Sequence, residues 1–114
     1  MLKKINRLTK EKDFSLVYKR GRTSASSLIS LKIFPNRLPS TRYGFVVSVK
    51  TAKRATKRNL VKRRLRHCVM SLAKNVTTGY DCVITARPGL LDLSYQELCQ
   101  EVKKLFKRAR LIKD

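Results

Sequence analysis

Residues 50–66 read KTAKRATKRNLVKRRLR, and this stretch organises the rest of the chain. Lys50, Lys53, Arg54, Lys57, Arg58, Lys62, Arg63, Arg64 and Arg66 are basic, and no acidic residue interrupts them. The second half has a helical period. At about 100° per residue, Val61, Leu65, Cys68, Val69 and Leu72 fall on one apolar face. Asn59, Arg63 and Arg66 lie opposite, with Lys62 beside them, and Leu60, Arg64 and His67 form a flanking row. One side of this helix packs on a core while the other presents guanidinium forks, an ammonium and an amide to solvent. Most charge runs are no more than a solvated face. This one lacks the Glu and Asp that would make i, i+4 pairs, so it repels itself unless something anionic meets it. A polyanion site is the stronger reading.

The whole chain points the same way. Its 114 residues make one domain, 1–114, long enough for a modest core but not for two. A hydrophobic fraction of 42% is near the globular norm, so the chain should fold despite a net charge of +21. That charge far exceeds what solubility requires, and a nucleic acid is the usual partner. A membrane surface is the competing polyanion. No apolar run is long enough to span a bilayer, and the opening MLKKINRLTKEKDF lacks the apolar centre of a signal peptide, so a cytoplasmic location is expected. Cys68, Cys82 and Cys99 are widely spaced, odd in number and free of any CxxC, and His67 is the one histidine. A zinc site has too few ligands, and small core thiols in a reducing compartment are expected.

Upstream of the basic stretch, residues 42–49 alternate, with Tyr43, Phe45, Val47 and Val49 on one face and Gly44, Val46 and Ser48 on the other. Residues 28–34 also alternate: Leu28, Ser30, Lys32 and Phe34 against Ile29, Leu31 and Ile33. With Pro35, Asn36 and Pro39 in the turn, these two strands read as an antiparallel hairpin. Residues 22–27 are a short edge strand or a loop. Before them comes a helix to about Arg20, with Thr9 as N-cap, Glu11 and Asp13 in its first turn, and Gly21 as its stop. Phe14, Val17 and Tyr18 share one face of it, which core packing alone would explain. Residues 1–8 form a basic arm expected to start extended. Downstream, the helix fades near Asn75, and Cys82, Val83 and Ile84 mark a strand buried within a sheet. Ser94 and Glu97 form a capping box for a final helix that carries Leu98, Val102, Leu105, Phe106 and Ala109 on one face. The order α-β-β-(β)-α-β-α predicts an α/β (α+β) two-layer sandwich with helices on a small mixed sheet. Strands on either side of the basic helix can be parallel only with that helix as the crossover.

Catalytic constellations are thin. The single histidine has no carboxylate nearby in sequence, the acids sit mostly in capping or terminal positions, and neither a phosphate loop nor a dinucleotide fingerprint occurs. Any reaction this chain serves should draw on it for binding, with no catalytic residue of its own.

Several stretches carry a specific likeness. These are Leu8, Thr9 and Lys10 through Asp13 and Phe14, then residues 17–21 (VYKRG), 43–48 (YGFVVS) and above all 57–66 (KRNLVKRRLR), with 81–87 followed by 93–97. Through them the chain resembles the bacterial ribonuclease P protein component over nearly its whole length. That family's helix normally reads Arg-Asn-Arg and, two residues later, Lys-Arg. Arg58, Asn59, Lys62, Arg63 and Arg66 match, whereas Leu60 departs, with Arg64 one turn along the same row.

The resemblance implies a small protein bound to a large catalytic RNA that removes the 5′ leader of precursor tRNA, the RNA doing the chemistry with Mg2+ that it mainly holds itself. It implies RNA contact through Lys53, Arg54, Lys57, Arg58, Asn59, Lys62, Arg63 and Arg66. It also implies a cleft for the single-stranded leader between the first helix and the sheet, lined by Phe14, Tyr18, Ser30 and Lys32, where rings can stack on bases. The family fold further implies a left-handed crossover at the basic helix, against the usual hand. Neither a membrane nor a small-molecule substrate is expected as a partner. A structural ribosomal-RNA-binding protein would share the charge and size but would bury the Phe14 and Tyr18 face. A membrane- or calmodulin-binding helix would need an apolar face that other elements leave uncovered.

Overall fold

Residues 80–86 (YDCVITA) are the stretch in which apolar side chains point to both faces, and they form the strand on which the sheet is built. In the computed structural model, which describes residues 3–112, the elements are α1 (Glu11–Arg20), β1 (Arg22–Ala25), β2 (Ile29–Pro35), β3 (Arg42–Val47), α2 (Ala55–Leu72), β4 (Tyr80–Ala86) and α3 (Tyr95–Arg108). The strands lie in the order β1-β2-β4-β3. β4 is antiparallel to β2 and parallel to β3, with Leu31 and Phe45 both opposite Ile84. The result is the expected α+β fold with a mixed sheet, and α2 is the crossover between the parallel pair.

The hairpin expected of β2 and β3 does not form. β4 lies between them, because a strand apolar on both faces is best covered in the interior of a sheet. The loop joining β2 to β3 instead passes the start of β4. Asn36 donates to Asp81 at 2.9 Å, and Arg42 meets the same carboxylate with two bonds of 2.8 and 2.7 Å.

Period-two alternation divides the sheet into two unlike faces. Ile29, Leu31, Ile33, Cys82, Ile84 and Ala86 point to one, where they meet Val61, Leu65, Cys68 and Val69 of α2 and Leu98, Val102, Leu105 and Phe106 of α3 in one core. The apolar face read for α2 is the face it buries. On the other side α1 lays Val17 against Val83 and Leu8, with Phe14, Phe34 and Val46 packed around them.

Local signals are honoured with two shifts. Ser94 and Glu97 form the capping box, with bonds of 3.0 and 3.2 Å, and the Ser94 backbone N–H holds the Glu97 carboxyl below the usual carboxylate range. At the far end of α3, Leu111 N–H donates to Phe106 at 2.9 Å and Arg110 N–H to Lys107 at 3.0 Å, a Schellman closure with Arg110 at φ 61° where glycine is usual. Arg22 donates to the Ala109 carbonyl at 2.7 Å, placing a cation at the negative end of the helix dipole. The N-cap of α1 is Lys10 rather than Thr9, and no side chain caps it. The basic arm is not simply extended: Lys4–Asn6 makes a 3-10 turn, Arg7 then bridges Tyr43, and Leu8 N–H donates to the Tyr43 carbonyl at 2.9 Å. Met1 and Leu2 lie outside the described residues.

The cysteines correct a second expectation. Cys68 and Cys99 are joined in a disulfide that ties α2 to α3, and only Cys82 is a free, buried thiol among them. Two helices that share one core bring these positions to a Cα–Cα distance of 5.0 Å, a proximity that 31 residues of separation conceal.

Candidate nucleic-acid interface

The exposed side of α2 is narrower than its helical period suggests, since Arg66, expected opposite the apolar face, turns to a flank. Lys53, Arg54, Lys57, Asn59 and Arg63 are exposed, while Lys62 and Arg66 are half-buried along the flank facing β3. Leu60, the departure from the family pattern, is on the surface at 37% exposure. Arg58 behaves differently from its neighbours. Its guanidinium folds back to donate to the carbonyls of Ala52 at 3.0 Å and Lys53 at 2.7 Å, so it clamps the turn that leads into the helix. The first turn of α2 contains no acid, although the positive end of the helix dipole would favour one. Among the described residues no carboxylate pairs with a cation of α2. Asp81 and Asp13 both converge on Arg42, at 2.7 and 3.4 Å, and the hydrogen bonds that Arg42 donates to Asp81 raise its pKa further. That cluster fastens the start of α1 to the sheet. It also leaves the cations of α2 without a carboxylate partner among the described residues.

The expected leader cleft comes together in part. The Lys32 ammonium lies 5.6 Å from the centroid of the Tyr18 ring and donates to the Tyr18 carbonyl at 3.3 Å. Ser30 shares the β2 face of Lys32, and Tyr18 is 43% exposed. Phe14, one turn away on α1, is half-buried in the small core with Val17 and Val83. It also lies directly over Gly44, where a Cβ would come 2.5 Å from the ring's Cζ. The two rings are therefore unequal: Tyr18 offers an open face, and Phe14 is partly committed to packing.

A further cleft of about 410 Å3 opens at the outer edge of β3, lined by the returning arm (Arg7, Leu8, Thr9), Phe14, residues 43–45 and the Lys62 and Arg66 side chains. The Arg66 guanidinium lies 5.9 Å from the centroid of Phe45. Burial pushes the Tyr43 phenol well above its ordinary pKa, so the edge stays neutral there. Sequence reasoning places Lys62 and Arg66 on a basic face but misses Phe45 and Thr9 beside them. The only signal was the alternation of β3, which puts Phe45 and Tyr43 on the α2 side.

Among the described residues no three His, Cys, Asp or Glu side chains cluster as a metal site. Mg2+ demands an octahedron of oxygen ligands. The basic face carries cations instead, and Asp13 and Asp81 are engaged with Arg42, so these residues do not fit a Mg2+ site of the protein's own.

A family model described as Ribonuclease P matches residues 2–110. The chain is 34% identical to the ribonuclease P protein component of Cyanothece sp., an alignment that covers 98% of each. It is 38% identical to that of Streptococcus thermophilus, covering 99% of this chain and 100% of the relative. Its fold is similar to the RNase P protein of Staphylococcus aureus, with a TM-score of 0.87 at 24% identity over 95% of this chain and 98% of the other. It is also similar to the RNase P protein from Thermotoga maritima, with a TM-score of 0.82 at 26% identity over 90% and 96%.

Proposed function

The chain belongs to the ribonuclease P protein family, and from that premise we propose that it is the protein subunit of a tRNA-processing ribonucleoprotein. It binds the catalytic RNA through the outer face of α2 and holds the single-stranded 5′ leader of precursor tRNA against α1 and β2. The observation that carries this reading is the arrangement of α2. It has a cationic face without acids, backed by a fully used apolar face, while across the sheet, under α1, an exposed tyrosine lies against a lysine. A structural RNA-binding protein would cover that ring.

The residues act by binding and orientation. Lys53, Arg54, Lys57, Asn59, Lys62, Arg63 and Arg66 neutralise phosphates and fix the register of the RNA, while Arg58 shapes the turn that presents them. Tyr18 gives a leader base a stacking face, and Lys32 neutralises the strand passing Ser30. Bond cleavage and the Mg2+ it requires belong to the RNA, and the complex works in the cytoplasm. The test is reconstitution: the purified chain added to a bacterial ribonuclease P RNA at low Mg2+ should restore leader removal. A folded chain that binds this RNA and leaves cleavage unchanged would overturn the proposal in favour of a purely structural role.

A further inference from the structure

The cleft at the edge of β3 lies apart from the Tyr18–Lys32 pair, with Phe14 as the side chain shared between the two regions. Its volume of about 410 Å3 falls at the lower end of the range for small-ligand pockets, enough for one nucleotide and too little for a helix or a folded segment. Its chemistry is divided in a way that few ligand classes match. Leu8, Phe14 and Phe45 supply apolar and aromatic surface, while Lys62 and Arg66 supply two cations without a carboxylate partner among the described residues. The Arg66 guanidinium lies 5.9 Å from the Phe45 centroid, so an aromatic surface and a cation adjoin in the same cleft. Gly44 lets the Phe14 ring pack directly on β3 and so form one wall of the cleft, since a side chain there would displace it. The arm pairs with β3 at the Arg7–Tyr43 bridge, and β3 is an edge strand beyond it, so outer main-chain donors and acceptors lie next to the cleft.

From these features we infer that the cleft is a nucleotide pocket, which takes one unstacked nucleotide with its base against Phe45 and its phosphate on Lys62 and Arg66. A bare anion would leave the aromatic surface unused, and an apolar ligand would leave two cations buried against it. The inference rests on the reading of this chain as an RNA-binding subunit and adds a second base-holding position to it. A nucleotide within a strand and a free nucleotide present the same chemistry.

The experiment titrates the full chain, at fixed ionic strength, with uridine 5′-monophosphate, uridine and inorganic phosphate, following backbone NMR shifts. The nucleotide should shift the Phe45 and Lys62 signals and bind about tenfold more tightly than either fragment, the size of a single base stack. Phe45→Leu, which keeps an apolar side chain, should weaken the nucleotide about tenfold and leave phosphate unchanged. Lys62→Gln should weaken the nucleotide and leave uridine unchanged, and it serves as the deciding variant if Phe45→Leu does not fold. Phosphate binding as tightly as the nucleotide, or a nucleotide affinity indifferent to both substitutions, overturns the pocket. Irradiating a precursor that carries 4-thiouridine in its leader separates the sources. A cross-link at Phe45 assigns the pocket to the strand, and nucleotide binding without one assigns it to a free nucleotide. Leader removal restored without nucleotide binding sinks the pocket alone. Nucleotide binding without restored leader removal sinks the ribonuclease P reading and leaves the pocket standing.

Discussion

The two faces of the sheet differ as a foundation differs from a working surface. Beneath α2 and α3 the core is large and closed, with Leu65, Phe106 and Ile84 almost wholly buried. Beneath α1 the buried apolar cluster is small, Leu8, Val17 and Val83, and Ser30, Lys32 and Thr85 on the same face are only partly covered. One helix cannot cover four strands. The closed face stabilises the fold, and the half-covered face is free to bind because the other does not need its help.

The largest effects should therefore fall on the closed face. Phe106→Ala should cost about 3–5 kcal/mol in urea unfolding, whereas Tyr18→Ala should leave the midpoint nearly unchanged and lower the precursor-to-mature tRNA affinity ratio about tenfold. Equal losses of stability would erase the contrast between faces. Phe14→Ala should show both effects, each reduced. Next comes the Cys68–Cys99 link across 31 residues. On loop-closure grounds its reduction should cost about 3–4 kcal/mol, read as a fall in thermal midpoint with reductant, and the Cys68→Ala, Cys99→Ala double variant should show none.

An alkaline test reaches the middle of the sheet. Burial pushes the Cys82 thiol from an ordinary 9.0 up to about 12, so the folded chain keeps a proton that the unfolded chain releases. Stability is intact below pH 9 and should fall as pH rises toward 12, by up to about 1.4 kcal/mol per unit. Tyr43, raised by burial as well, adds to the same slope at its upper end. Cys82→Ala should flatten the slope without abolishing it, and an unchanged slope would show that the thiol does not titrate in this window.

Smaller effects probe the ends of the two closed-face helices. Arg58→Ala removes two carbonyl bonds from the turn before α2 and should cost about 1–2 kcal/mol. Arg63→Ala, on the exposed side, should weaken RNA assembly with no change in unfolding. Arg110→Gly relieves a left-handed backbone at φ 61° and should stabilise by about 1 kcal/mol. A loss there would mean that the Arg110 side chain contributes more than its backbone costs.

Much of this was legible from local signals. The wheel of α2 placed Val61, Leu65, Cys68 and Val69 inside and Leu60 outside, the alternation of β2 put Ser30 with Lys32, and Ser94 with Glu97 started α3. What escaped depends on contacts between distant segments. A short loop between two alternating strands is the signature of a hairpin, and only the apolar character of β4 on both faces hinted that it would come between them. Asp81 looked like a strand-end acid until Arg42 and Asn36 met it across the sheet. The edge cleft depends on an arm that folds back, and nothing in residues 1–8 announces a partner at Tyr43.

The sheet order also sets a timetable for the chain on the ribosome. β4 is the last of the four strands to be synthesised, and it is the one that β2 and β3 both require as a neighbour. Until residue 86 has emerged, those two strands are separate edges with no ladder between them, and the apolar face of α2 has no finished sheet to rest on. The cations of α2 are complete by residue 66, ahead of the fold that will hold them. A nascent chain of intermediate length is thus a polycation before it is a protein domain. Its closure waits on long-range pairing, the slow kind.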